Sequence, residues 1–261
     1  MNSFWQKQSS TKPLFPDVAW SKPEQRSRAG KLAIIGGNKL GFMAVSDAYG
    51  VAEQLGAGLV RAVLPDTLKK AVPPAIADTL FIASNLSGGF SREAQPELIA
   101  ATQWADVVLL VGDMGRNSET AMACEELLQA HHGHLVVTRD AVELLKPAAQ
   151  QAVGRDKTTL VLSFAQLQKL FQNVYYPRIL SFSMQLMQLV DALHKFTITY
   201  PVTIVTFHQN QLIVAHSGDV ISQEFDQPMQ IWRGVTAARA STYLLWNPEK
   251  PLEAIATSFV K

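Results

Sequence analysis

Residues 31–60 constrain the fold of this chain more than any other segment. An apolar run that begins at Lys31 stops at the pair Gly36-Gly37, and a helical stretch follows. A second glycine pair, Gly56 and Gly58, opens another apolar run. This order is typical of a strand, a turn, a helix and a parallel strand. Because a ligand approaches the backbone closely only where side chains are absent, the first glycine pair is a candidate binding turn.

The same alternation continues through most of the chain. Strands are predicted at residues 31–35, 59–64, 80–83, 107–111, 135–137 and 159–162, and helices at 42–54, 118–130, 140–145, 165–171 and 173–193. The alternation predicts an α/β fold with a mainly parallel sheet and helices on both faces. Near the C-terminus we expect a β-hairpin, residues 197–207 and 211–215, at the sheet edge, and a final helix over 229–246.

The composition is that of one globular domain. The chain has 261 residues, of which 48% are hydrophobic and 17% charged, and its interior contains no linker-like tract. We expect an extended N-terminal segment over residues 1–29, because prolines recur in it, and a single domain over 30–261. The aromatic residues of that segment favour packing on the domain or on another subunit, with a mobile tail as the alternative.

Charge and hydropathy exclude several classes of function. The net charge of +1 gives no reason to expect binding to nucleic acid or to an anionic membrane. No apolar run reaches the roughly 20 residues that span a bilayer, and the N-terminus lacks a secretory pattern. One cysteine, Cys124, fits the reducing cytoplasm, where we expect the protein to reside. Its sequence context is that of a core residue and not of a nucleophile.

A second candidate binding element follows the apolar run at 107–111. It reads Gly112-Asp113-Met114-Gly115-Arg116 and leads into a helix capped by Asn117 or Ser118. Ligands of doubly wound sheets bind at such strand ends, and helix N-termini favour anions. Arg116 would then pair with a phosphate. In an ordinary connection, Asp113 and Arg116 would instead be solvated; the two glycines favour the ligand loop.

The order of these elements resembles the ADP- or ATP-dependent NAD(P)H-hydrate dehydratase family, whose fold is ribokinase-like. The resemblance rests on Gly36-Gly37-Asn38, on Leu-Gly-Ala-Gly-Leu-Val from Leu55, on Gly-Asp-Met-Gly-Arg from Gly112 and on Thr-Arg-Asp-Ala from Thr138. It extends over residues 30–246. It implies a lyase reaction, in which ADP or ATP phosphorylates hydrated NADH or NADPH and phosphate then leaves. It also implies a homo-oligomer, a tetramer.

The resemblance assigns nucleotide or substrate binding to six residues: Gly36, Gly37, Asn38, Gly112, Asp113 and Gly115. From its turn alone, Asn38 either donates to a ligand or closes the turn. Asp140 matches a retained family acid, although its sequence context indicates a helix cap. No metal ligands are predicted and a role for Mg²⁺ stays open, because the helix C-terminus explains the histidines at 131, 132 and 134.

The departures from the family lie mainly towards the C-terminus. The Gly-Ala pair before the first helix is Met43-Ala44 here, and the family's Thr-Pro-His-Pro-Gly-Glu stretch falls, shortened, at residues 163–166. The Lys-Gly motif is missing near 206–208. The Gly-Ser/Thr-Gly-Asp loop falls at 227–230, where Pro228 lacks an N–H and Gln230 occupies the position of the catalytic base.

We therefore predict no catalytic residue and a dehydratase activity that is weak or lost, with nucleotide binding retained through the N-terminal half. Two alternatives stay open. One is a non-enzymatic interaction or regulatory protein. The other is a small-molecule kinase of the same fold with a relocated base. Asp226 is the nearby carboxylate for such a base, although its sequence context favours a surface residue.

Overall fold

A computed structural model of the chain describes residues 3–260. Its strands are β1 (Trp5–Gln8), β2 (Lys31–Gly36), β3 (Leu59–Pro65), β4 (Thr79–Ile82), β5 (Val107–Gly112), β6 (His134–Thr138), β7 (Thr158–Leu162), β8 (Thr203–His208), β9 (Gln211–His216) and β10 (Asp219–Glu224). They form one sheet in the order β1-β10-β9-β8-β7-β6-β5-β2-β3-β4. Among these strands, β9 alone runs against the others.

Helices cover both faces of the sheet. They are α1 (Pro16–Trp20), α2 (Met43–Leu55), α3 (Gln95–Trp104), α4 (Ser118–Ala130), α5 (Asp140–Leu144), α6 (Ala149–Gly154), α7 (Phe164–Asn173), α8 (Leu186–Thr199), α9 (Met229–Trp232), α10 (Val235–Trp246) and α11 (Pro251–Thr257). One core holds the side chains of α3 to α8, and the other those of α1, α2, α10 and α11. Because successive strand residues point to opposite faces, Ala33 and Ile35 enter the first core while Leu32 and Ile34 enter the second.

The α/β fold with a mainly parallel sheet is confirmed. The C-terminal hairpin is formed by β8 and β9, but its predicted position at the sheet edge is wrong. Two strands that the pattern does not predict lie outside this hairpin. β10 pairs with β9, and β1 pairs with β10 in parallel, with Trp5 opposite Val220. Residues 1–29 were expected to be extended; among those described, 5–8 form this outer strand and α1 is a short helix that begins at Pro16.

Three element boundaries differ from the prediction. The strand expected from Thr197 begins only at Thr203, because the apolar residues at 189, 190, 193 and 196 have helical spacing and hold α8 until Thr199. The helix expected over 173–193 is not continuous, since α7 ends at Asn173 and α8 begins at Leu186. The last helix is broken at Gly234, whose φ of +83° is left-handed.

The topology brings several loops to one edge of the sheet. β2, β5, β6 and β7 are parallel neighbours, so the segments that follow them emerge on the same side. The helices that start there are α2, α4, α5 and α7. No helix among residues 3–260 is both long and apolar enough to cross a membrane.

Candidate functional site

A cleft of about 660 Å³ lies at this edge of the sheet. The turn after β2, the loop after β5, the starts of α5 and α7, and α9 all contribute to its walls. Its lining includes Asn38, Asp113, Gly115, Arg139, Asp140 and Trp232. The two glycine-containing elements that the sequence singles out therefore meet in one place.

The loop after β5 presents three consecutive backbone N–H groups, those of Asp113, Met114 and Gly115, which we call the amide nest. The loop bends through positive φ angles at Gly112 (+98°), Asp113 (+56°) and Gly115 (+75°). Such a concave row of donors is suited to an anion. Here the anion is the carboxylate of Asp140, which accepts from Asp113 at 2.8 Å, from Met114 at 3.0 Å and from Gly115 at 3.2 Å.

The prediction that Asp140 caps a helix is therefore wrong. Asp140 is the first residue of α5, and no side chain caps that helix. Its carboxylate turns towards the β5 loop because three donors converge there, and hydrogen bonds to an ionised acceptor are among the stronger ones in proteins. The retained acid thus shapes the loop and occupies its donors.

Asp113 also bonds within the chain. Its Oδ2 accepts from the N–H of Ala44 at 2.8 Å, in the first turn of α2, whose own N-cap residue Phe42 provides no capping side chain. Its Oδ1 pairs with the guanidinium of Arg139. Arg139 has a φ of +58°, a strained conformation for a residue other than glycine. One carboxylate thus joins β5, α2 and the residue that follows β6.

Asn38 closes its turn, which is one of the two roles left open by the sequence; its ligand binding stays a prediction. Its Nδ2 donates to the carbonyl of Asp113 at 2.6 Å, and its Oδ1 accepts from the N–H of Leu40 at 2.7 Å. The residue is 8% exposed. Its amide group therefore links the turn after β2 to the β5 loop.

The six predicted binding residues occupy one junction, but they differ in exposure to the cleft. Asn38, Asp113 and Gly115 line it. Gly36, Gly37 and Gly112 lie beneath, where the N–H of Gly37 donates to the carbonyl of Gly112 at 2.9 Å. A Cβ on Gly36 would collide with that carbonyl, so this glycine allows two strand ends to touch. Ligand binding by the six residues stays a prediction.

Sequence reasoning missed Arg139, Glu143 and Trp232 as cleft residues. The signal available for Arg139 was its position in the sequence, directly before the retained acid Asp140. Glu143 pairs with Lys169 at 3.1 Å. Gln166, at the position of a family acid, completes a capping box with Ser163 on α7 and donates to the carbonyl of Arg139 at 2.7 Å.

A second, apolar cavity of about 410 Å³ adjoins the cleft, and Trp232 lines both. Its walls include Phe164, Phe182, Phe207, His208 and Ile231. The ring centroid of Phe164 lies 4.6 Å from that of His208 and 4.9 Å from that of Phe182.

The apolar cavity brings three distant segments together. Residues from 163–166, 206–208 and 227–230 all line it, and these are the segments where the resemblance places motifs that this chain lacks. The N–H groups of Gln230 and Ile231 donate to the carbonyls of Gln227 and Pro228, at 3.0 and 3.1 Å, as a helix begins.

The remaining candidate residues lie away from both cavities. Cys124 is buried, and burial raises the pKa of its thiol to about 12, so it is a core residue. Burial lowers the pKa of His131 to about 4, and its ring contacts the carbonyl of His134 at 3.2 Å. Within residues 3–260, no group of three or more His, Cys, Asp or Glu is placed to hold a metal ion. Arg116 is exposed and is not part of the cleft lining.

Comparison with known proteins places the fold. No protein-family model and no curated protein sequence matches the chain. Among solved structures, it is similar to a ribokinase-like superfamily protein from Enterococcus faecalis, with a TM-score of 0.72 and 15% identity over 99% of this chain and 86% of that one.

Two similar structures have described activities. One is an ADP/ATP-dependent NAD(P)H-hydrate dehydratase from Bacillus subtilis co-crystallised with ATP and Mg²⁺, with a TM-score of 0.60 and 12% identity over 95% and 86% of the two chains. The other is a hydroxyethylthiazole kinase protein from Pyrococcus horikoshii, with a TM-score of 0.60 and 11% identity over 93% and 81%. The fold is ribokinase-like, as the resemblance implies.

Proposed function

We propose that this protein binds a small molecule in the cleft of its ribokinase-like fold and has little or no ATP-dependent dehydratase activity. The observation that carries the proposal is that the carboxylates of the cleft are already bonded to other groups of the chain. Asp113, Asp140 and Glu143 line the cleft, and each is bound to a group of the chain itself. A base for phosphoryl transfer has to be within reach of the substrate and able to accept its proton.

The residues also fit ATP poorly. A polyphosphate would have to displace the Asp140 carboxylate to use the amide nest, and a family anion hole at 227–230 would lack the N–H of Pro228. Losing one preorganised donor typically costs on the order of 100-fold in rate, so the combined loss supports the proposal of little or no activity.

The proposal is tested by assaying repair of hydrated NADH and NADPH with ATP or ADP and Mg²⁺, with the B. subtilis dehydratase as the positive control. We expect no recovery of NADH above the uncatalysed rate. Measurable turnover would contradict the proposal. The variant Glu143→Gln would then identify the base, since the Glu143 pair with Lys169 is the most readily opened of the three.

Binding is tested separately by thermal shift with ADP, ATP, NADH and NADPH. A ligand at 100 times its dissociation constant stabilises the folded state by about 2.7 kcal/mol. The variant Asn38→Ala removes the link between the turn and the β5 loop, and Trp20→Ala, on exposed α1, is a matched control. All four compounds carry phosphate, so the absence of a shift would exclude nucleotide binding and leave a ligand without phosphate as the candidate. The interaction or regulatory protein would be favoured if unphosphorylated compounds such as adenosine also failed to bind.

A kinase of another small molecule is the second candidate, favoured by the similarity to the thiazole kinase fold. It predicts ATP consumption that depends on the added alcohol. The cytoplasmic location and the homotetramer remain part of the proposal by resemblance, and light scattering after size exclusion tests the oligomeric state.

A further inference from the structure

We infer that the ligand is a planar aromatic compound, neutral or cationic and without phosphate groups. Its ring would occupy the apolar cavity beside Trp232, and its polar remainder would extend into the cleft. This inference rests on the proposed function, because it specifies the class of molecule that the same site binds.

The apolar cavity is suited to a flat ring. The side chains of Phe164, Phe182 and Phe207 contribute to its walls, and among the described residues that line it none is Asp, Glu, Lys or Arg. Phe164 is packed against both Phe182 and His208, so part of the wall is held by ring contacts before any ligand arrives. Aromatic rings stack with offset or edge contacts and gain more than the burial of their area alone.

Trp232 connects the cavity to the cleft. It lines both and is 53% exposed, although a tryptophan usually buries most of its surface. Leu40 and Met43, which also line the cleft, are 88% and 71% exposed. An apolar rim of this kind is covered when a ligand with an apolar portion binds.

The charges of the cleft disfavour a phosphorylated ligand. The cleft is lined by three carboxylates, those of Asp113, Asp140 and Glu143, and by one guanidinium, that of Arg139. The charged side chains of the lining therefore have a formal net charge of −2. Lys169, which pairs with Glu143, reduces the excess to −1 when it is counted. The amide nest is already filled by Asp140. A polyanion therefore meets net repulsion and loses the donors it would use, whereas a cation is attracted.

Matched pairs of probes isolate the effect of the phosphate groups on binding. Adenosine and ATP share a ring and a ribose, as do nicotinamide riboside and nicotinamide mononucleotide, and the second member of each pair carries phosphate. Calorimetric titration at two salt concentrations measures all four. We expect at least one unphosphorylated member to bind ten or more times tighter than its partner, with an advantage that shrinks as salt screens the cleft.

Three variants locate the ligand. Trp232→Ala is expected to weaken binding at least tenfold and Trp232→Phe by less, while Trp20→Ala, which removes a tryptophan that is 86% exposed on α1, should leave it unchanged. Glu143→Gln removes one negative charge of the cleft. It should improve binding of the phosphorylated member by roughly two- to fivefold, as expected for one screened charge.

The failures of this inference and of the proposed function have different signatures. Preference for the phosphorylated members, an advantage below tenfold, or binding unaffected by Trp232→Ala would overturn the inference and leave ligand binding intact. If the folded protein bound none of the four probes, both would be contradicted. Circular dichroism of each variant establishes that it is folded.

Discussion

Replacing Gly112 by alanine should destabilise the protein, because it would disturb the hydrogen bonds between the Asp140 carboxylate and the amide nest, which we call the Asp140 clamp. Gly112 has a φ of +98°, and a Cβ there would collide with the Oδ1 atom of Asp140 and lie 3.0 Å from the Cβ of Arg139. A non-glycine residue in such a backbone conformation costs about 1–3 kcal/mol. Displacing the carboxylate from even one N–H donor costs about 1.5–3 kcal/mol more, because hydrogen bonds to charged groups are strong. We therefore expect a loss of about 2.5–6 kcal/mol.

The assay is urea unfolding, in which a change of midpoint at constant slope reports stability. The matched control is Gly41→Ala, since a Cβ on Gly41 meets nothing within 4 Å and its φ is not positive. That variant should lie within about 1 kcal/mol of the parent protein, because a compatible glycine-to-alanine change mainly restricts the unfolded chain.

A double-mutant cycle tests the cause. In the Asp140→Ala background the carboxylate is gone, so Gly112→Ala should retain only the backbone cost, and the coupling should be about 2 kcal/mol. If Gly112→Ala cost less than 1 kcal/mol, or if the two substitutions were additive, the clamp would not hold the loop as described.

Three further predictions concern single residues. Asn38→Asp should destabilise the protein by about 2 kcal/mol, more than Asn38→Ala in the same urea assay, because a carboxylate would face the carbonyl that the Nδ2 group now contacts. Burial lowers the pKa of His131 to about 4 in the folded protein, below the ordinary histidine value of 6.5, so the unfolded chain takes up the proton first as the pH falls. Stability should decline by about 3 kcal/mol from pH 6.5 to 4, and His131→Gln should reduce this slope. Cys124, the one cysteine, should resist a thiol reagent in the native state at neutral pH and react at the rate of unfolding; rapid native labelling would contradict its burial.

The local elements of this fold could be predicted because local pattern determines them. The helix predicted over 118–130 is found at Ser118–Ala130, and Asn117 caps it by accepting from Glu119 at 2.9 Å. The signals used were the periodicity of apolar residues, the residues that cap helices and the glycines at element ends, and each of these acts within a few residues. The resemblance supplied the ribokinase-like topology, which the periodicity alone did not specify.

The contacts that shape the site could not be predicted, because they join segments far apart in the chain. Asp140 was expected to act on its own helix, yet its oxygens are bound by N–H groups 25 to 27 positions away. The pairing of Asp113 with Arg139, separated by 26 positions, was missed for the same reason. β10 was not predicted because Ser222 and Gln223 are polar, which does not indicate a buried strand. Both are buried in the structure, where Gln223 accepts a hydrogen bond from Gln8 at 2.8 Å.

The outermost strand imposes an order on biosynthesis. β1 is synthesised before β10, because Gln223, the partner of Gln8, lies 215 positions later in the chain. Until then β1 has no ladder to join, and once β10 has formed, its free side is a template for any extended chain nearby. Docking of β1 therefore covers this side of β10, and it can take place only after β10 has been synthesised. Removing residues 1–8 would leave that side open, and the damage would show as self-association before any loss of the cleft.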